Sequence, residues 1–324
     1  MSVEIASIAS YLPARVMRNE DWAKYVDTND EWIVSHTGIH ERRIAEEHET
    51  TATMASGAAK KALDKAGISA DKVGLIILAT ASPDYLSFPA TANLVQKAIG
   101  APSSCAAFDL HAACTGFIYA LSTAHAFLHS SKDMEYAIVI GAETLTRIID
   151  WKDRSTAVLF GDGAAAMVLR KKGGQESVKD YVLHSDGNAE ALYRPKGGVM
   201  CKDFNNIEET YLKMDGRAVY NFAVHSLGEV IQEILSRNGK SIDEIDWIVP
   251  HQANFRIIEA MCTRRQWPKE KFFMNLEHMG NTSAASIPLA MAEMEEKGLL
   301  KKGQLIIMAG FGAGLTWGAS LIEW

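Results

Sequence analysis

The sequence predicts an α/β fold built from two duplicated halves. Short apolar runs, amphipathic stretches between them and two weak internal echoes carry this expectation. The runs are "VGLIILAT" (Val73–Thr80), "YAIVIGAE" (Tyr136–Glu143), "AAAMVLR" (Ala164–Arg170), "IDWIVP" (Ile245–Pro250), "QLIIMAG" (Gln304–Gly310) and "GASLIEW" (Gly318–Trp324). They are rich in Val, Ile and Leu and do not alternate strictly, the mark of strands covered on both faces. The clearest helices are Thr53–Gly67 and Ala218–Gly239, each ending in a glycine suited to a helix C-cap. Strands that alternate with helices give an α/β class.

The echoes suggest the duplication. "GISADKVGLIILATAS" (Gly67–Ser82) aligns without gaps to "GKSIDEIDWIVPHQAN" (Gly239–Asn254), an offset of 239 − 67 = 172. "GDGAAAMVL" (Gly161–Leu169) is echoed by "TWGASLIEW" (Thr316–Trp324). Two echoes in the same order point to repeated halves. The charged, Gly-containing stretch Arg170–Ser177 reads as the joint, giving halves 1–172 and 173–324.

Composition excludes several classes. The chain has 324 residues, 48% hydrophobic and 23% charged, enough for a core of ordinary size. A net charge of −7 argues against a nucleic-acid partner. The four cysteines, Cys105, Cys114, Cys201 and Cys262, form no C-x-x-C pair, and no His/Cys cluster has zinc spacing, so no metal site is expected. A reducing compartment fits this cysteine usage. The N-terminus lacks a basic n-region and an apolar core, and no apolar run approaches the roughly 20 residues of a membrane helix. The expected location is the cytoplasm, with no membrane partner.

Within "AFDLHAACTGFIYAL" (Ala107–Leu121), Cys114 follows a strand-like stretch and opens a helix. The helix would bury a stripe of Phe117, Leu121, Ala124 and Leu128. The positive end of the helix dipole would favour a thiolate, and small neighbours leave room for a ligand. By itself the thiol also reads as a small buried hydrophobe. His251 follows the strand "DWIVP" directly, where α/β proteins place their sites, though a satisfied core histidine is the plain alternative. His40, His48, His125 and His129 read as solvent-facing. Asn281, in "HMGNTSAASIP", reads as a turn or cap residue. "GFGAGLTWG" (Gly310–Gly318) is a Gly-rich loop that could present backbone N–H groups to a ligand, and it lacks the G-K-[ST] of a phosphate loop.

Taken together, "AACTGF", "PHQANFRII", "GNTSAASIP" and "GFGAGLTWG" resemble the β-ketoacyl-acyl-carrier-protein synthase III enzymes of the thiolase superfamily. "DTNDEWIVSHTGIHERRIA" (Asp27–Ala45) and "DRSTAVLFGDGAAA" (Asp153–Ala166) match the same family, so the resemblance spans essentially the whole chain. It implies a thiolase-like fold: two five-stranded halves in a layered α/β/α/β/α sandwich, in a homodimer. It also implies a catalytic Cys114, His251 and Asn281, with the backbone N–H groups of Cys114 and Ala313 as oxyanion donors.

The implied reaction is a decarboxylating Claisen condensation. An acyl-CoA primer, acetyl-CoA or similar, acylates Cys114, and malonyl-acyl carrier protein is then condensed to 3-oxoacyl-acyl carrier protein, CoA and CO₂. No cofactor is implied, because the CoA thioester is a substrate. Trp32, Thr37, Arg154 and Asn254 match CoA-binding positions, with Trp32 and Arg154 sandwiching the adenine. His36 stands where the family often has Arg. Phe88, Leu145, Phe160, Leu192 and Met214 match the acyl pocket, with Phe88 reaching across the dimer interface. A basic patch of Arg256, Arg264 and Arg265 would receive the acidic carrier protein. The competing readings are a related condensing enzyme priming a polyketide or other secondary pathway, hydroxymethylglutaryl-CoA synthase, a papain-like protease and a non-catalytic acyl-CoA-binding protein.

Overall fold

The computed structural model describes residues 1–195, 201, 203 and 205–324. The first sheet contains β1 (Ser2–Tyr11), β2 (Val73–Ala79), β3 (Ala106–Leu110), β4 (Tyr136–Thr144) and β5 (Asp162–Lys172) in the order β1-β5-β4-β2-β3. The second contains β6 (Val178–Asn188), β7 (Trp247–Pro250), β8 (Leu305–Gly312) and β9 (Gly314–Glu323) in the order β7-β8-β9-β6. Read from the β1 and β6 edges, both sheets run antiparallel, antiparallel, parallel.

The echo at offset 172 is structural. The 3₁₀ turn Ala70–Lys72 has its counterpart in Ile242–Glu244, and 70 + 172 = 242. Ile76 of β2 pairs in parallel with Ala107 of β3, and its counterpart Ile248 pairs in parallel with Phe272. That one bridge is all that stands where a fifth strand of the second sheet would lie. Among the described residues the second sheet therefore has four strands, with a single bridge at the place of the fifth.

Helices α1 (Asp30–Thr37), α2 (Thr51–Ala66), α3 (Thr91–Ile99), α4 (Gly116–Ser130), α5 (Gly216–Arg237), α6 (Phe255–Arg265) and α7 (Ser286–Glu296) complete the layers that position the site. The central layer is α4 and α7. Phe117, Leu121, Ala124 and Leu128 of α4 and Ile287, Ala290, Met291 and Met294 of α7 share one core with Leu75 and Ile77 of the first sheet and Val249, Ile306 and Met308 of the second. The alternate residues Ile76 and Leu78 pack outward against α2 and α3. Ile248 and Ile307 pack outward against α5 and α6. This period-two division of apolar runs explains why they lack polar alternation: both faces are covered. The layers are α/β/α/β/α.

Strands β1 and β6 do not stand out as apolar runs. Each lies at a sheet edge, and each mixes buried with part-exposed positions. Edge strands need less apolar sequence, so a search for covered strands misses them.

Candidate active site

Three chain turns converge between the sheets. Cys114 sits in the 3₁₀ turn Ala113–Thr115 that leads from β3 into α4. His251 follows β7, and its backbone N–H donates to Ala309 O of β8 at 2.7 Å. Asn281 precedes the 3₁₀ turn Ser283–Ala285 that opens α7. Asn281 N–H donates to Leu159 O at 2.8 Å, and Asn281 O accepts from Gly161 N–H at 3.1 Å. All three side chains line one cavity of about 890 Å³.

Two glycines allow the close fit. A Cβ on Gly312 of β8 would lie 2.7 Å from Cys114 N, and one on Gly141 of β4 would lie 2.3 Å from Ala284 O. Each of these turns thus rests on a bare backbone stretch of the opposite half. The Gly-rich stretch itself is a tight hairpin: β8 and β9 pair as far as Gly312 with Thr316, and Ala313 stands at the turn, lining the cavity.

Electrostatics set the resting state. Burial pushes the Cys114 thiol up to about 12, partly countered by the Ser283 hydroxyl and its own backbone N–H. This direction is opposite to the one the helix dipole alone would give. Cys114 precedes α4 and is buried, and loss of hydration disfavours its charged form. Burial likewise pushes His251 down to about 3, so its imidazole is neutral. Neither of its ring nitrogens has a hydrogen-bond partner, although both are buried. Phe311 meets the ring edge-on at 5.1 Å between centroids. The Asn281 amide is oriented by Ser283 N–H, which donates to its Oδ1 at 2.9 Å. This leaves Nδ2 as the donor facing other partners.

The comparisons with known proteins bear on this geometry. Family models for 3-oxoacyl-(acyl-carrier-protein) synthase III match residues 108–187, and its C-terminal part matches residues 235–324. A β-ketoacyl-(acyl-carrier-protein) synthase III of Clostridium acetobutylicum is 45% identical, over 100% of this chain and 99% of that protein. The chain belongs to the 3-oxoacyl-(acyl-carrier-protein) synthase III family. The crystal structure of the Aquifex aeolicus synthase III is similar with a TM-score of 0.92 at 44% identity, covering 100% of both chains. A priming β-ketosynthase from the R1128 polyketide pathway has the same TM-score at only 31% identity, covering 99% of this chain and 96% of that one.

The positions carried over from the resemblance are placed as follows. Arg154 lies directly on the Trp32 ring, 4.5 Å from its centroid, and His36 stacks on the same ring at 4.3 Å and 18°. A 4.5 Å gap leaves no space for an adenine between Trp32 and Arg154. The Thr37 hydroxyl donates to Ile33 O at 2.6 Å and accepts from Ile39 N–H at 3.0 Å. Asn254 caps α6 and donates to His36 O at 2.8 Å. All five residues line the cavity.

Leu145, Phe160, Leu192 and Met214 line it as well, the last two as a cross-strand pair. Phe88 does not: it is 83% exposed, outside the cavity of its own chain, while Leu86 and Pro83 of the same segment face in. Arg256 and Arg264 share a shallow groove on α6 beside the cavity. Arg265 turns away, ion-paired with Glu229 of α5, because position 265 falls on the α5-facing side of the helix. The three arginines do not form one patch.

Sequence reasoning missed Glu143, at the end of β4. Its fully buried carboxylate accepts from Ala81 N–H at 3.1 Å, Thr80 Oγ1 at 3.2 Å and Ala284 N–H at 3.3 Å. It thus ties the first half to the turn after Asn281. Burial pushes its carboxyl up to about 7. A glutamate ending an otherwise apolar run was the available signal. Sequence reasoning also did not single out the grouping of His125 and His129, four apart on α4, with Glu176. His125 is half-buried, not solvent-facing. No helix among the described residues is long and apolar enough to cross a membrane.

Proposed function

We propose that this chain is an acyltransferase that initiates fatty acid synthesis by decarboxylating condensation of an acyl-CoA with malonyl-acyl carrier protein. One observation carries the reading: a buried neutral imidazole with both nitrogens unpaired shares a cavity with an oriented asparagine amide and a cysteine. Orphaned buried polar atoms are costly, and a substrate oxygen arriving beside them supplies the missing partner.

Cys114 Sγ attacks the acyl carbonyl carbon, the bond to CoA sulfur breaks, and the thiol proton leaves with CoA. The N–H groups of Cys114 and Ala313 stabilise the oxyanion. Malonyl-acyl carrier protein then loses CO₂, and the electron pair moves into an enolate. His251 and Asn281 donate to the enolate oxygen. A neutral imidazole suits this, since no proton is taken from carbon. The enolate carbon attacks acyl-Cys114, and the departing thiolate regains a proton. The halves 1–172 and 173–324 supply the nucleophile and the two donors respectively.

Leu145, Phe160, Leu192 and Met214 form the acyl wall. CoA lies at the mouth by Trp32, His36, Thr37, Arg154 and Asn254, and its adenine enters only after Arg154 swings off Trp32. The carrier protein docks at Arg256 and Arg264. The enzyme works as a cytoplasmic homodimer without a cofactor, and Phe88 completes the site of the second copy.

The test is mass spectrometry of the protein after incubation with a panel of acyl-CoAs. The expected result is one acyl group on Cys114 and none on Cys114→Ala. An acyl adduct on Cys114→Ala, or none on the wild type with any acyl-CoA, overturns the reading.

A further inference from the structure

We propose that His125, His129 and Glu176 form a binding site for a divalent transition-metal ion of the zinc class, separate from the catalytic cavity. The histidines are four apart on α4, a spacing that places both imidazoles on one face, one turn from each other. Glu176 comes from the connection between β5 and β6, 47 residues beyond His129. His125 Nε2 lies 3.0 Å from Glu176 Oε1, and His129 Nε2 lies 3.1 Å from Oε2. The three ligand atoms are all within 4.8 Å of one another.

These separations suit one ion. Metal bonds of about 2.0–2.2 Å in tetrahedral geometry put neighbouring ligand atoms roughly 3.3 Å apart. An ion therefore enters as the ligand atoms draw in from separations of at most 4.8 Å, each imidazole turning its Nε2 lone pair to the metal and keeping its proton on Nδ1. Two imidazoles and a carboxylate are a donor set for zinc and its neighbours, not for calcium or magnesium.

The carboxylate is also held from behind. Val3 N–H donates to Glu176 Oε1 at 3.0 Å, and the next residue fastens the segment to β1 through Ser177 N–H to Val3 O at 2.9 Å. Such outer support is what orients a metal ligand. The half-exposed His129 and Glu176 leave a solvent path and an open position for water. The bound ion would fasten the connection between the two sheets to the helix that Cys114 precedes.

The experiment titrates full-length protein, its thiols first alkylated, with Zn²⁺ by calorimetry and with Co²⁺ by visible absorption. The expected result is one ion per chain, cobalt d–d bands without sulfur charge transfer, and a melting temperature that rises with Zn²⁺. His129→Ala, at a half-exposed position, should bind at least roughly 10-fold more weakly, since even outer-shell losses cost that much. His48→Ala, on the exposed surface, should bind as the wild type does. Equal affinity in wild type and His129→Ala, or no stoichiometric ion in the wild type at micromolar Zn²⁺, overturns the proposal and leaves an ion-free hydrogen-bonded cluster.

Discussion

Ala113 and Ser283 hold the same left-handed backbone conformation, φ 45° and 46°, in turns 283 − 113 = 170 residues apart. Each begins a 3₁₀ turn that runs into a central helix, α4 or α7. Cys114 follows the first, and Asn281 lies two residues before the second. Cys114 and Asn281 thus sit beside two copies of one strained turn. Non-glycine residues in this region cost roughly 1–2 kcal/mol, and such strain is characteristic of functional sites.

The approach of β8 to this turn predicts the effect of Gly312→Ala. The added Cβ would meet Cys114 N at 2.7 Å, so backbone must shift. Acylation of Cys114, followed by burst kinetics with acyl-CoA, should slow on the order of 100-fold, the scale of losing one oxyanion donor. Circular dichroism should show the fold retained. An unchanged burst would remove Cys114 N–H from the oxyanion site.

The thiol should titrate late. With its pKa raised to about 12, the thiolate fraction of Cys114 grows about tenfold per pH unit across the neutral range. Iodoacetamide alkylation of the free enzyme should therefore keep accelerating from about pH 6 to about pH 10. A plateau near neutrality would mean that the thiolate is already formed.

Removing either enolate donor should separate the half-reactions. His251→Ala and Asn281→Ala should each lower CO₂ release from malonyl-acyl carrier protein by roughly 10²–10³-fold. Both should still acquire the acyl mass on Cys114. Loss of acylation in either variant would assign that residue to the first step instead.

Glu143 gives a pH-dependent stability prediction. Its folded-state pKa, about 7, lies above the ordinary value of 4.5. Its contribution is full below pH 4.5 and is lost as pH rises to about 7. Glu143→Gln stays neutral throughout, so its stability relative to wild type should climb across this interval, by no more than about 3 kcal/mol. Urea melts at pH 5 and pH 8 measure the difference. A Gln variant that is equally destabilised at both would assign Glu143 a pH-independent hydrogen-bonding role.

How far the site was legible depends on which physical quantity each residue reports. The local pattern placed His251 at a strand end and Asn281 in a turn, as the structure does, while only the family resemblance singled them out as site residues. Which way Phe88 points depends on how the segment after β2 folds, which no local pattern records; it stands 83% exposed outside the cavity of its own chain. Arg265 stands apart from Arg264 because adjacent helix positions differ by about 100° in direction, enough to turn one arginine to solvent and the next onto α5.

The sequence by itself determined the covered strands, the buried stripe of α4 and the repeat at offset 172. These follow from short-range patterns, because covering a strand on both faces or burying one side of a helix constrains consecutive residues. Only the tertiary structure decided the edge strands, the protonated state of Cys114, the unpaired imidazole of His251, the buried Glu143 and the meeting of Glu176 with His125 and His129. Each of these depends on desolvation or on contacts between distant segments, and the depth of burial is set by how whole layers stack.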